Sequence, residues 1–129
     1  MPHTLSWRDG GLFRTFTGMV TGTEILESNL EMHGDRRFDE IKYVINDLSQ
    51  INDFDISTDD ITALQTVDRV AEYSNARLKI AIIVSNNEAL IELATLYRKS
   101  MQDNAYEAEI FANLEEAHKW ARTREIFGI

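Results

Sequence analysis

The segment IKYVINDLSQINDFDISTDDIT, residues 41–62, decides the fold class of this chain. It opens with a nearly continuous run of β-branched and aromatic residues, Ile41 to Leu48, which is typical of a strand covered on both faces. The residues that follow, 49–56, are rich in Asn and Asp, which favour turns, and they predict an acidic loop. Ser57, with Asp60 three residues later, then predicts the capped start of a helix.

The rest of the chain repeats this strand–loop–helix unit. Residues 78–84, LKIAIIV, have no polar face and predict a strand inside the sheet, whereas residues 107–112 alternate apolar and charged and predict an edge strand. Near the start, Asp9-Gly10-Gly11 between two alternating runs predicts an antiparallel hairpin. The predicted order is ββαβαβαβα, an α/β fold with a mostly parallel five-stranded sheet and an opening antiparallel hairpin.

The helices are predicted from capping residues and from apolar stripes with helical spacing. The expected caps are Thr21, Ser57, Asn86 or Asn87, and Asn113. In the first helix we expect the stripe to consist of Leu26, Leu30 and His33. In the second helix we expect Ile61, Leu64, Val67 and Ala71 to be buried, with Val70 beside them.

Length, charge and composition limit the class of protein. At 129 residues the chain is expected to form one domain, residues 1–129, with a core that needs no disulfide or metal to stabilise it. It has no cysteine, which excludes disulfides and thiolate metal sites. A net charge of −9 argues against nucleic-acid binding and against anionic membrane surfaces. Without a signal-like start or an apolar run of membrane length, we expect a soluble cytoplasmic protein without stable membrane insertion.

Three segments carry a resemblance to a known family: FDEIKYVINDLSQINDFDIS at 38–57, LKIAIIVSNNE at 78–88 and NLEEAHKWA at 113–121. With them the chain resembles the STAS-like family of bacterial anti-sigma factor antagonists and, more closely, its SpoIIAA-like branch of small uncharacterised bacterial proteins. That branch shares a superfold with CRAL-TRIO lipid-transfer domains. The resemblance implies a sheet backed by helices and a regulatory or binding role without catalysis.

The chain departs from the antagonists at their phosphorylation site. There the loop after the central strand carries an aspartate, two serines and a glycine, and the first serine is phosphorylated. The matching residues here are Asp55, Ile56, Ser57 and Thr58, so isoleucine stands at the phosphoserine position and the glycine is absent. Only Asp55 and Ser57 match. We therefore predict that Ser57 is a helix cap and not a phosphoacceptor.

Polar residues after the predicted central strands form a candidate ligand or partner edge: Asp47, Asp53, Asp55, Ser57 and Ser85. Turn and cap roles explain these residues most simply, and we expect no metal and no cofactor. If the acids converged, however, they could hold a hard cation such as magnesium. The histidines His3, His33 and His118 are scattered without ligand spacing, so we expect structural roles for them.

The carboxyl-terminal segment REIFGI places Ile126, Phe127 and Ile129 beyond the stripe that the last helix needs for packing. Exposed apolar residues at a chain end are costly unless they dock on something. Because symmetric dimers commonly cover such patches, we predict a homodimer in which these residues meet Trp7 and Phe13 of the opening hairpin.

Three functions follow as hypotheses. The first is a non-catalytic regulatory or protein-interaction domain with a protein partner of unknown identity, which predicts a filled core and a flat apolar patch. The alternative is a carrier or sensor of a small apolar ligand or lipid, which predicts an enclosed apolar cavity of ligand size. The third, a metal-dependent phosphoacceptor or hydrolase, predicts converging carboxylates. From the sequence we favour the first, because methionine and aromatic stripes usually pack the core.

Overall fold

The structure is a computed structural model that describes residues 3–75, 77–102 and 106–123. In these ranges the strands are β1 His3–Arg8, β2 Gly11–Thr21, β3 Tyr43–Asp55, β4 Lys79–Ile83 and β5 Glu107–Phe111. The helices are α1 Gly22–His33, α2 Thr58–Ala71, α3 Glu88–Ser100 and α4 Leu114–Arg122, with a short 3₁₀ helix at Arg36–Asp39. No helix in the described part of the chain combines the length and apolarity needed to cross a membrane.

The strands form one mixed sheet in the order β1-β2-β3-β4-β5. β1 is antiparallel to β2, and each later strand is parallel to its predecessor. The turn between β1 and β2 has Asp9 and Gly10 at φ values of 54° and 79°, the left-handed pair that a two-residue hairpin turn requires. The predicted α/β fold with an opening hairpin and an edge strand β5 is therefore confirmed.

The sheet is covered on both faces. Each helical connection joins a strand to its next neighbour in the same direction across the sheet. Because these connections have the same handedness, α1, α2 and α3 lie on one face. The helix α4 packs on the other face, over Phe13, Ile45 and Ile83. Two neighbouring residues of β4 are buried on opposite faces: Ile82 is 6% exposed beneath α1–α3, and Ile83 is 1% exposed beneath α4. The prediction of an interior strand at 78–84 is confirmed.

The acidic loop predicted at 49–56 is wrong, because β3 continues to Asp55. The end of β2, residues 17–21, pairs with residues 50–55 through two register shifts, and Gly18 takes a φ of 70° between them. These backbone bonds to a long neighbouring strand outweigh the local turn preference of Asn and Asp. Ile51 and Phe54 also pack against the core and hold the extension in place.

The buried faces of α1 and α2 differ from the predicted stripes. Leu30 and Val70 are 54% and 64% exposed. In their place the helices bury polar residues, namely Ser28 and Asn29 on α1 and Asp68 on α2. Both helices turn these polar side chains toward the sheet because they hydrogen bond to one another and to a residue of β2, as described next.

Candidate functional site

A cavity of about 80 Å³ lies between the sheet and the helices α1, α2 and α3. Most of its lining is aliphatic, and it includes Ile80 and Ile82 of β4 and Leu90 of α3. Because one water needs about 10–15 Å³ measured in this way, the space corresponds to roughly five to eight waters. The core beneath these three helices is therefore not filled by the protein's own side chains.

One wall of the cavity carries a buried arginine. The alternation of β2 places Arg14 on the face beneath the helices, where it is 3% exposed. Its Nε donates to Asn46 Oδ1 at 2.7 Å, and its Nη1 donates to Ser28 Oγ at 3.0 Å and to Asn29 Oδ1 at 2.6 Å. All three acceptors are neutral. No hydrogen bond recorded for the described residues uses the second terminal nitrogen, Nη2.

A buried carboxylate lies one side chain away from this arginine. Asp68 of α2 is 3% exposed and accepts hydrogen bonds from Asn29 Nδ2 at 3.0 Å and from the Tyr97 hydroxyl at 2.5 Å. His33 Nε2 lies 3.4 Å from Asp68 Oδ1 without making a hydrogen bond. The Asn29 amide thus links the two charges, and we call the run Arg14–Asn29–Asp68–Tyr97 the buried polar chain.

The guanidinium of Arg14 has no direct ionic partner in the described part of the chain, since none of the ion pairs there within 4.0 Å includes it. Burial lowers the pKa of Arg14 to about 10, and the more distant Asp68 acts in the opposite direction. Buried charges are usually paired, because desolvation of an isolated charge is costly. The positive charge of Arg14 is therefore compensated only indirectly, by Asp68 through the Asn29 side chain.

Further hydrogen-bonding capacity faces the same space. Tyr106, in the segment before β5, lines the cavity and is 2% exposed, and its hydroxyl has no hydrogen-bond partner among the described residues. Burial raises the pKa of Tyr106, and the negative charge of Asp68 raises it further, so the group stays a hydroxyl that can donate. His33 also lines the cavity, and its Nε2 likewise makes no hydrogen bond to any residue that the structure describes. The largely aliphatic lining of the cavity thus includes a few buried polar groups that make no hydrogen bond within the described part of the chain.

No protein-family model matches the chain, and no curated protein matches it. Among solved structures, it is similar to an uncharacterised protein of the DUF3478 family from Shewanella loihica that is described as having a SpoIIAA-like fold. The TM-score is 0.52 at 20% sequence identity, over 92% of this chain and 91% of that one. The chain has a SpoIIAA-like fold. At this identity the likeness establishes the fold alone, and the predicted resemblance is confirmed at that level.

Within the SpoIIAA-like fold, the candidate acids do not converge. Asp47, Asp53 and Asp55 lie along β3, and the six residue steps from Asp47 to Asp53 span about 20 Å of extended strand. Asp47 Oδ1 accepts from the backbone and hydroxyl of Ser49, and Asp53 Oδ1 accepts from the Phe54 backbone. No three acidic or histidine side chains in the described ranges could hold a metal ion together. The hypothesis of converging carboxylates is wrong.

Ser85 and Ser57 occupy two different connections of the SpoIIAA-like fold. Ser85 is exposed between β4 and α3, and its carbonyl accepts from the backbone of Asn87, the residue that caps α3. Ser57 caps α2: its hydroxyl accepts from Asp60 N at 3.1 Å, and Asp60 Oδ2 accepts from Ser57 N at 2.8 Å. The predicted helix cap at Ser57 is confirmed as a full capping box.

Replacing Ser57 with alanine is expected to lower the free energy of unfolding by about 0.5–2 kcal/mol, because the Asp60 N–H loses its acceptor. Urea denaturation measures the loss, with Thr58→Ala, the adjacent exposed residue, as the control. Stoichiometric phosphate on Ser57 in protein from its native cell would contradict the prediction that this residue serves only as a cap.

The residues predicted to form a dimer contact are placed only in part. Phe13 is 8% exposed beneath α4, with its ring 5.3 Å from that of His118, so it does not offer the surface that we predicted. Trp7 is half-buried, with the Arg37 guanidinium 4.7 Å above its ring. Ile126, Phe127 and Ile129 lie outside the described residues. The homodimer stays a prediction.

The buried polar residues that line the cavity were not predicted from the sequence, although the pattern around two of them indicates their burial. Arg14 lies between Leu12 and Phe16 in an alternating strand, which places it on the core face. Asp68 follows Leu64 by four residues on the buried side of α2. A charged residue at a core position of a strand, matched by an opposite charge at a core position of a helix, is the pattern that indicates such a site.

Proposed function

We propose that this chain is a non-catalytic binding domain whose cavity takes one small, largely apolar molecule, so that the protein acts as a carrier or sensor. The observation that carries this proposal is the cavity itself, a space lined mostly by aliphatic side chains and by a few buried polar groups. The sequence by itself favours a protein-interaction domain with a filled core. The open space beneath α1–α3 favours the alternative, because ligand sites are concave and mostly apolar with a few placed polar groups.

The energetics also support a ligand. Unfilled core space costs about 24 cal/mol per Å³, so a cavity of 80 Å³ costs about 2 kcal/mol relative to a filled one. Burying Arg14 and Asp68 adds a desolvation cost that the indirect link through Asn29 offsets only in part. Features that lower stability in this way are typical of functional sites. A bound molecule would restore the missing packing contacts.

The polar chain suits binding better than catalysis. The Asp68 carboxylate already accepts hydrogen bonds from Asn29 and Tyr97, which leaves it poorly placed to act as a general base. Burial, together with the neighbouring Asp68 charge, raises the pKa of Tyr97 well above its ordinary value, so its hydroxyl keeps its proton. In this proposal both groups serve to hold Arg14 and Asn29 in fixed positions.

A regulatory contact with another protein is the second candidate. It is favoured by exposed apolar side chains near the carboxyl-terminal ends of neighbouring helices: Leu30 on α1, Val70 on α2, and Tyr73, which is 94% exposed just after α2. Exposed large apolar groups that lie near one another often mark an interaction surface. The partner would be another protein of unknown identity or, as the predicted homodimer, a second copy of this chain.

Native mass spectrometry of freshly purified protein tests the proposed carrier or sensor function. We expect a mass excess of one small molecule that disappears under denaturing conditions. The matched variant is Ala94→Leu, because Ala94 of α3 lines the cavity and leucine would place three further carbon atoms there. This variant should fold and show the mass of the protein without a bound molecule. The proposal would be contradicted if the wild-type protein showed only its ligand-free mass, or if Ala94→Leu showed the same mass excess as the wild-type protein.

A further inference from the structure

Two polar side chains that line the cavity lie next to each other without a hydrogen bond between them. His33 Nε2 is 3.4 Å from Asp68 Oδ1, which is longer than an ordinary hydrogen bond of about 2.7–3.2 Å. Nε2 is buried and makes no hydrogen bond within the described part of the chain. Both residues line the cavity beneath α1–α3. The pair thus offers unused hydrogen-bonding capacity at one measured position in the cavity wall.

The two atoms have complementary roles. A carboxylate has about four acceptor positions, so Asp68 Oδ1 can take a further bond beside the one from Asn29. A carboxylate oxygen at 3.4 Å favours the histidine tautomer that carries its hydrogen on Nε2, so we assign His33 Nε2 as a donor. An oxygen placed about 2.8 Å from each atom fits against both, because twice that distance exceeds their 3.4 Å separation. A hydroxyl group there would accept from Nε2 and donate to Oδ1.

The charges of the lining favour a neutral ligand. One buried cation, Arg14, and one buried carboxylate, Asp68, line the cavity, and Asn29 hydrogen bonds to both. The hydroxyls of Tyr97 and Tyr106 keep their protons, because burial and the Asp68 charge raise the pKa of each. The charges of Arg14 and Asp68 therefore balance. A ligand ion of either sign would add a buried charge without a counter-charge, which is costly.

We propose that the cavity binds a short aliphatic alcohol, whose hydroxyl accepts from His33 Nε2 and donates to Asp68 Oδ1 and whose alkyl chain packs against the aliphatic lining from β4 and α3. The proposal rests on the proposed carrier or sensor function and names the ligand class of that site. Ile80, Ile82 and Leu90 supply part of the aliphatic lining. Because the space corresponds to roughly five to eight non-hydrogen atoms, alcohols of about four to seven carbons fit it.

Calorimetric titration of the wild-type protein tests the ligand class. The probes are hexan-1-ol, its isomer 1-methoxypentane, whose oxygen accepts but cannot donate, and two ions of the same chain length, hexanoate and hexylammonium. Hexan-1-ol should bind at least about tenfold more tightly than each of the others, as expected for a hydrogen bond to a charged group. Equal or tighter binding of the ether would overturn the donation to Asp68. Equal or tighter binding of either ion would overturn the choice of a neutral ligand.

His33→Phe tests the position of the hydroxyl. The variant keeps a ring beside Phe38, and Nε2 makes no hydrogen bond that it would remove from the described part of the chain, so the melting temperature should stay close to that of the wild-type protein. Hexan-1-ol binding should weaken by about three- to tenfold, the range for one ordinary hydrogen bond. Binding of 1-chlorohexane, which makes no strong hydrogen bond, should stay unchanged.

The control for this variant is Tyr73→Phe, at a tyrosine that is exposed just after α2, and it should change the affinity for neither probe. If His33→Phe binds hexan-1-ol as tightly as the wild-type protein does, the hydroxyl does not bond to His33 and the proposal is overturned. An equal loss of affinity for hexan-1-ol and 1-chlorohexane would also overturn it, because the variant would then have changed the cavity and not one hydrogen bond.

The ligand class and the proposed carrier or sensor function can fail separately. If 1-methoxypentane binds as tightly as hexan-1-ol and Ala94→Leu abolishes the binding of both, the cavity is a ligand site but the alcohol proposal is overturned. If no probe binds, the alcohol proposal is likewise overturned. The carrier or sensor function fails with it only if the wild-type protein also shows only its ligand-free mass in native mass spectrometry.

Discussion

Replacing Asp68 with alanine is expected to lower the free energy of unfolding by about 3–5 kcal/mol. Asp68 is the acceptor for Asn29 Nδ2 and for the Tyr97 hydroxyl, and both donors are buried. Each would lose its acceptor within the protein. The variant would also remove the negative charge that compensates Arg14 through Asn29, and a buried charge left without compensation is strongly destabilising.

Urea denaturation followed by circular dichroism measures this loss. Arg69→Ala is the matched control, because Arg69 is the next residue of α2 and is exposed, so its replacement should change stability by less than about 0.5 kcal/mol. Asp68→Asn keeps the size of the side chain and one acceptor oxygen and should fall between the two. A loss below about 1 kcal/mol for Asp68→Ala would show that the buried polar chain does not stabilise the fold.

Replacing Ile82 with alanine is expected to cost about 2–5 kcal/mol. Ile82 is 6% exposed, lies in an interior strand and lines the existing cavity. Because its neighbours already fail to fill that space, they cannot collapse onto the vacated volume, and the enlarged cavity keeps its full cost. The loss is a large part of the ~5–15 kcal/mol stability that is typical of a folded domain.

The control for this variant is Val70→Ala, a truncation of a β-branched side chain that is 64% exposed on α2. It should change the unfolding free energy by no more than about 0.5 kcal/mol. Chemical denaturation of the two variants beside the wild-type protein gives the comparison. If Ile82→Ala were as stable as the wild-type protein, the side chain would not be a packed part of the sheet.

Local and periodic features of the sequence were sufficient to predict the fold class. The residues 78–84 lack a polar face because β4 is covered by α1–α3 on one side and by α4 on the other. The turn at Asp9 and Gly10 and the cap at Ser57 depend on residues within a few positions of one another. Such signals can be recognised without knowing which strands become neighbours.

The features that were missed depend on partners distant in sequence. The end of β3 forms because residues 17–21 are available to pair with it, and its own residues favour a turn. Ser28 and Asn29 break the apolar pattern of α1, so that pattern pointed to Leu30, which is exposed. Only the proximity of Arg14 in the folded chain explains why these polar residues face inward. The cavity likewise depends on how three helices cross the sheet.

The measurement that tests the central claim most directly is a methyl NMR titration with hexan-1-ol, a small and largely apolar probe. Ile80 and Ile82 line the cavity, whereas Ile45 and Ile83 pack beneath α4 on the opposite face of the same sheet. A ligand in the cavity is predicted to shift the δ1-methyl signals of the first pair in a saturable way and to leave those of the second pair in place. Signals of Ile80 and Ile82 that stay unchanged at a high excess of hexan-1-ol, or that move no more than those of Ile45 and Ile83, would contradict a ligand site beneath α1–α3.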